Sequence, residues 1–372
     1  MLEPGLIHLN TASAGPAPKA IFEACAQAWR TLESDPVVQS YFDSPNTIFT
    51  LADRVRAEAA ALIGCAADEI LFTRGTTDAI TTIANSLRLE RGDRVLLGNL
   101  EHEGGEVGWL HRQRLDGIGI DRVQLPLTEH NPRRILDIYA AAIGPRTRVI
   151  SVSHVLAPTG LRMPVAEIAA LARANNIFCV VDGAQAVGQM PVDVRAIGCD
   201  AYATSGHKWL MGPKGTGLLY IASDSASRID VAPWQLSRKV GANSAGLAPL
   251  VQAVGLSRAI ASARQIGIER IERHNLSLAR RVYEGFSAIS GLGLVSAAPG
   301  PVSTAMVAAE LPAGLDSKAL RERMRARHRI IIKSAEPRWM NGIRLSPHLF
   351  NNRTEVDLAL DALKKEISGW TG

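Results

Sequence analysis

The chain reads as an α/β protein in which a mostly parallel sheet carries helices on both faces and a smaller α+β domain follows. Three observations predict this. From about residue 69 to 221, short β-branched or apolar runs alternate with amphipathic segments, the pattern of repeated βαβ units. Residues 222–250 are less regular, hold Pro233, Trp234 and a glycine-bounded turn from Gly241 to Gly246, and mark a domain connection. From about 251 to 372, long amphipathic helices and short strands follow, with no internal repeat.

In chain order, strands are expected at 69–73, 94–98, 148–153, 177–182, 201–204 and 215–221. A helix is expected over 76–87, because Ile80, Ile83, Ala84 and Leu87 recur on one face. Another starts at Pro164, with Val165, Ile168, Ala169 and Ala172 facing the sheet. In the smaller domain, 306–311 and 342–345 read as strands.

The composition bounds what this architecture can do. A chain of 372 residues exceeds the size at which one core usually keeps growing, and 47% hydrophobic with 21% charged residues is ordinary for a soluble globular protein. The net charge of +5 is scattered. Its short clusters, such as Arg321, Arg323, Arg325 and Arg327, lack interleaved aromatic residues and read as solvated helix faces, so no nucleic-acid partner is expected. Cys25, Cys65, Cys179 and Cys199 show no CxxC spacing, which argues against a metal site and a disulfide framework. The amino terminus lacks a signal-like apolar run and no segment is long enough to span a bilayer, so a cytoplasmic enzyme without a membrane partner is expected.

In parallel sheets, ligands sit beyond the C-terminal strand ends. Here those ends are polar: Arg-Gly-Thr-Thr after Thr73, Glu-His after Leu100, Ser-His after Val152, Asp-Gly-Ala-Gln after Val181 and Ser-Gly-His-Lys after Thr204. Gly75, Thr76 and Thr77 stand between a strand and a helix, where free amides and the helix dipole suit a phosphate; an ordinary threonine cap is the alternative. Asp182 closes the most apolar strand, so its carboxylate needs a cationic partner, unless it merely caps the next helix. Lys208 is placed to act as a nucleophilic amine. Lys214, in a glycine-rich turn without the GxxxxGK spacing, is the rival.

Two segments, VDGAQAVG at 181–188 and SGHKWLMGPKGTGLLY at 205–220, resemble the signature pair of the class V aminotransferase-like, fold-type-I enzymes that use pyridoxal 5'-phosphate. The resemblance runs from LNTASAGP at 9–16 to RLSPHLFNN at 344–352. That family includes cysteine desulfurases, cystine carbon–sulfur lyases and isopenicillin N epimerase-like enzymes.

The resemblance implies a large domain at 16–245 with a seven-stranded type of sheet, and a small domain made of 1–15 and 246–372. It implies that Lys208 carries the cofactor as a Schiff base, that Asp182 pairs with the pyridine nitrogen and that Gln185 bonds the ring hydroxyl. His102 would stack on the ring, Gly75, Thr76, Thr77, Ser205 and His207 would hold the phosphate, and Arg344 would grip the substrate carboxylate. Lys208 and His102 are the expected catalytic residues, with His154 a second candidate acid. A homodimer with its site near the interface is implied as well.

Three departures narrow the reaction. Desulfurases carry a catalytic cysteine shortly before this arginine, and residues 332–341 contain none. Their cofactor-contacting asparagine is matched by Ala157, as in the lyase and epimerase branches. Gly241, with Asn243 and Ser244 nearby, stands where their partner subunit supplies a threonine. The start, the 153–160 segment and the 342–352 ending resemble the epimerase-like branch best, with a carbon–sulfur lyase next and an aminotransferase third.

Overall fold

The computed structural model describes residues 2–42, 44–230 and 249–370. The segment with Pro233, Trp234, Gly241, Asn243 and Ser244 lies outside the described residues. A seven-stranded sheet runs in the order Ile70–Thr73, Gly217–Ile221, Ala201–Ser205, Phe178–Asp182, Thr147–Ser153, Arg94–Gly98 and Gly119–Val123. All neighbours are parallel except Gly217–Ile221, which is antiparallel to both its partners. That exception comes from chain length. Parallel neighbours need a crossover of a dozen or more residues, whereas only a loop joins Ser205 to Gly217.

The six expected strands are present, with ends shifted by at most two residues. The seventh, Gly119–Val123, was not legible. It is an edge strand whose Asp121 and Arg122 lie outside the core, so it shows neither an apolar run nor clean alternation. The helices Thr76–Ser86 and Val165–Ala174 bury the apolar faces expected of them.

One core lies on each face of the sheet. The larger holds Ile150, Val152, Cys179 and Val181 against Ile168 and Ala172, and the other packs Ile80 and Ile83 against Val95, Val149 and Val180. Helix Leu250–Ile266 joins the larger core and packs on Lys19–Ser34 and Ile48–Ile63. A further core holds Leu9, Leu278, Val282, Ile343, Leu345 and Leu363. It is built around the strands Gly293–Leu294, Val307–Glu310, Lys333–Ser334 and Gly342–Leu345.

The amino-terminal segment ties these regions together. Ile7–His8 pairs in parallel with Ile330–Ile331, and Asn10 bridges to Ser346. The chain then passes over the C-terminal ends of the large sheet. Among the described residues, no helix is long and apolar enough to cross a membrane.

Candidate active site

Five strand ends converge on one cavity of about 350 Å³, closed on its far side by residues 333–344. Its floor is Asp182, 8% exposed at the end of the apolar strand Phe178–Asp182. Oδ1 accepts from the Ala184 amide at 2.9 Å, so the local turn is capped, while Oδ2 has no hydrogen bond among the described residues. Burial pushes the Asp182 carboxyl up, and the Lys208 charge opposes that shift.

Lys208 reaches the cavity from the turn after Ala201–Ser205. Burial holds its ammonium down at about 8; Asp182 pulls the other way and Arg344 adds to the fall. A fraction of the amine is therefore free near neutral pH, which a nucleophilic lysine needs. Lys214 points elsewhere and donates to the Gly15 carbonyl at 2.8 Å.

Helix Thr76–Ser86 begins at Gly75 with no side chain of its own capping it, which removes the threonine-cap alternative. Gly217 lets this helix start sit on the sheet, since a Cβ there would lie 2.5 Å from the Gly75 Cα. Ser205 is thereby brought to Thr76, whose amide donates to the Ser205 Oγ at 3.2 Å. Thr77 and His207 line the same corner. The His207 Nδ1 is buried without a partner among the described residues, and burial lowers its basicity.

His102 sits on the opposite wall as the N-cap of helix Glu103–Asp116. Its Nδ1 accepts from the Gly104 amide at 3.0 Å, which puts the ring proton on Nε2. Burial, then the Lys208 charge, lowers it to about 4, so the ring is neutral at pH 7. Gln185 is held from two sides: Nε2 donates to the Ala12 carbonyl at 2.9 Å and Oε1 accepts from the Trp209 indole at 2.9 Å. One amide hydrogen stays available.

Arg344 enters from strand Gly342–Leu345 and is 5% exposed. Its Nη1 donates to the Ala157 carbonyl, its Nε is buried without a partner among the described residues, and burial, opposed by the Glu336 charge, lowers the guanidinium to about 10. A buried guanidinium with spare donors and no carboxylate partner among the described residues is a ready site for a carboxylate.

The expected residues thus line one cavity, except Gly75, which is not on its lining and directly precedes Thr76. His154 does not join them. Its ring bonds the Tyr202 hydroxyl at 2.8 Å and lines a separate cavity beside Arg162 and Pro164. The physical reason is strand alternation: Ser153 faces the site, so the next side chain points away.

Sequence reasoning missed several lining residues: Ala12 and Ser13 from the amino-terminal segment, Ser153, and Lys333, Glu336 and Trp339 from the segment noted only for its lack of cysteine. It also missed Glu101. This carboxyl is 3% exposed, bonds the Ser153 hydroxyl and amide, and is pushed up to about 8 by burial.

The donor set fits pyridoxal 5'-phosphate. A helix start with no side-chain cap from its own N-cap residue, together with the Ser205 hydroxyl and His207, suits a phosphate, a neutral imidazole suits a stacked ring, and a buried carboxylate suits a ring cation.

The model of the family "Aminotransferase class-V" matches residues 7–358. Isopenicillin N epimerase of Amycolatopsis lactamdurans is 30% identical over 388 aligned positions, covering 98% of this chain and 96% of that protein. A probable cysteine desulfurase of Methanothermobacter thermautotrophicus is 30% identical over 302 positions, covering 77% of this chain and 74% of that protein. The solved structure of the cystine C–S lyase C-DES with its product cysteine persulfide superposes with a TM-score of 0.88 at 22% identity, covering 97% of this chain and 98% of that one. The protein belongs to the class V aminotransferase family of pyridoxal-phosphate enzymes.

Proposed function

We propose that this enzyme acts at the α-carbon of a small amino-acid-like substrate and that its reaction is of the isopenicillin N epimerase type. The observation that carries the reading is the segment over the cavity. Where a desulfurase needs a cysteine, this chain presents Lys333, Glu336 and Trp339, and similarity to the epimerase covers nearly both chains end to end.

Bound at this cavity, the cofactor would supply an electron sink for the substrate α-carbon. Lys208 Nζ would hold it covalently and, once released, carry the α-proton. Asp182 would keep the ring nitrogen protonated, Gln185 would donate its free amide hydrogen to the ring oxygen, and neutral His102 would cover one ring face. Gly75, Thr76, Thr77, Ser205 and His207 would hold the phosphate, and Arg344 the substrate carboxylate by a bidentate pair.

A carbon–sulfur lyase is the second reading, favoured by the fold likeness to the cystine lyase; an aminotransferase is the third. Exposed Phe22, Trp29, Tyr41 and Phe42 support a homodimer, since large apolar side chains left in water favour an association that covers them. Cys25, Cys65, Cys179 and Cys199 are all free, which suits a reducing cytoplasm.

The deciding experiment offers the loaded enzyme a panel of amino acids. It follows α-proton exchange with deuterated water, sulfide release and keto-acid formation. Exchange with inversion and neither of the other products is expected; sulfide release without inversion would replace the epimerase reading with the lyase.

A further inference from the structure

We propose that the substrate carries a second acid group besides its α-carboxylate and that Lys333 is the specificity-determining residue that receives it. This rests on the reading of the cavity as an amino-acid site and narrows its substrate class.

Lys333 and Arg344 are direct partners across the antiparallel strands Lys333–Ser334 and Gly342–Leu345. Residues so paired project to the same face with Cβ atoms about 4.5–5.5 Å apart, and like charges in this arrangement repel. Both line the cavity. Burial, then the Arg344 charge, holds the Lys333 ammonium below its ordinary range. Such a pair is stable in a closed site when anions lie between and beside its members.

The protein's own carboxylates offset these charges only in part: Glu336 acts through space on both and Glu103 on Lys333. Neither Lys333 nor Arg344 has an ion pair among the described residues, and the buried Arg344 Nε has no hydrogen bond. The carboxylates on the cavity wall are Asp182 and Glu336. Glu336 is already paired with Arg338 at 3.0 Å. Asp182 and Lys208 are committed to the cofactor. Two cations remain, and the α-carboxylate neutralises one of them.

The test pairs amino acids of equal chain length: aspartate with 2-aminobutyrate, glutamate with norvaline, and 2-aminoadipate with norleucine. Each is titrated into the loaded enzyme while its visible spectrum is followed. Calorimetry of glutarate against valerate reads the same preference without turnover. At least one diacid should bind about tenfold or more tighter than its mate, the scale of a charge-assisted contact, and glutarate should exceed valerate.

Lys333→Ala should bring each pair within about twofold, chiefly by weakening the diacids. Lys333→Gln, which keeps the side-chain bulk, should do the same and so separates charge from packing. The proposal is overturned if all pairs already lie within twofold in the unaltered enzyme, or if the preference survives both substitutions. A protein with no visible cofactor band and no label on Lys208 would instead sink the amino-acid reading, and the glutarate comparison would still decide the part of Lys333.

Discussion

The Gly15 amide donates to the His207 carbonyl at 2.8 Å, and a Cβ on Gly15 would lie 2.2 Å from the Lys208 carbonyl oxygen. The amino-terminal segment is thus clamped on the turn that presents Lys208. Gly15→Ala forces the two backbones apart. It should destabilise the protein by about 1–3 kcal/mol, the cost of overpacking, and weaken cofactor retention. Thermal unfolding and cofactor release by dialysis measure the two effects; unchanged values in both would show that the clamp does not matter.

Lys208→Ala should abolish the covalent cofactor link and leave the circular dichroism spectrum unchanged. Borohydride reduction followed by peptide mapping checks it. A label recovered on Lys214 would reassign the link.

The rate of cofactor attachment to the stripped protein should track the free Lys208 amine. Burial lowers the ammonium to about 8, so the charged form dominates below that pH. The rate should rise about tenfold per pH unit towards 8 and level off above it. A rise continuing to pH 10 would mean an unperturbed lysine.

Asp182→Asn keeps the side-chain shape and removes the charge that would face the ring nitrogen. Loss of one member of a buried pair is worth about 3–5 kcal/mol, so α-proton exchange should slow by on the order of a hundredfold or more. A loss under tenfold would return Asp182 to a cap for the Ala184 amide.

Glu101 is expected to be neutral at pH 7, since burial pushes it up to about 8. Between its ordinary value and 8, the folded state holds a proton that the unfolded chain has released. This carboxyl therefore favours folding less as pH rises through that window. Glu101→Gln removes the dependence while filling the same space. Denaturant midpoints measured at pH 5 and pH 8 should fall further in the unaltered protein than in the variant; equal changes would mean that Glu101 is charged.

Phe22 and Trp29, about two helical turns apart on Lys19–Ser34, are exposed. The native mass in solution should be that of a dimer, and Trp29→Glu should weaken it. A monomer with full activity would refute the proposed association.

The large sheet and much of the cavity wall were legible from local pattern. Apolar runs such as Phe178–Asp182 have the period and length of buried strands, and a parallel sheet places polar residues at their ends, so Asp182, Ser205, His207 and Lys208 could be read from their neighbours. Arg344 and Gln185 came from motif resemblance, because nothing in their immediate neighbours demands a cavity. Folding settled the rest. Ala12 and Ser13 reach the site because Ile7–His8 pairs with a strand more than three hundred residues away. His154 leaves it because Ser153 takes the inward position. Lys333 faces Arg344 through strand register, and Glu101 is neutral because the fold closes around it. Strand alternation and helical period are written in neighbouring residues, whereas burial and cross-strand register depend on contacts between segments distant in sequence, and those contacts set which charges meet and which protons are held.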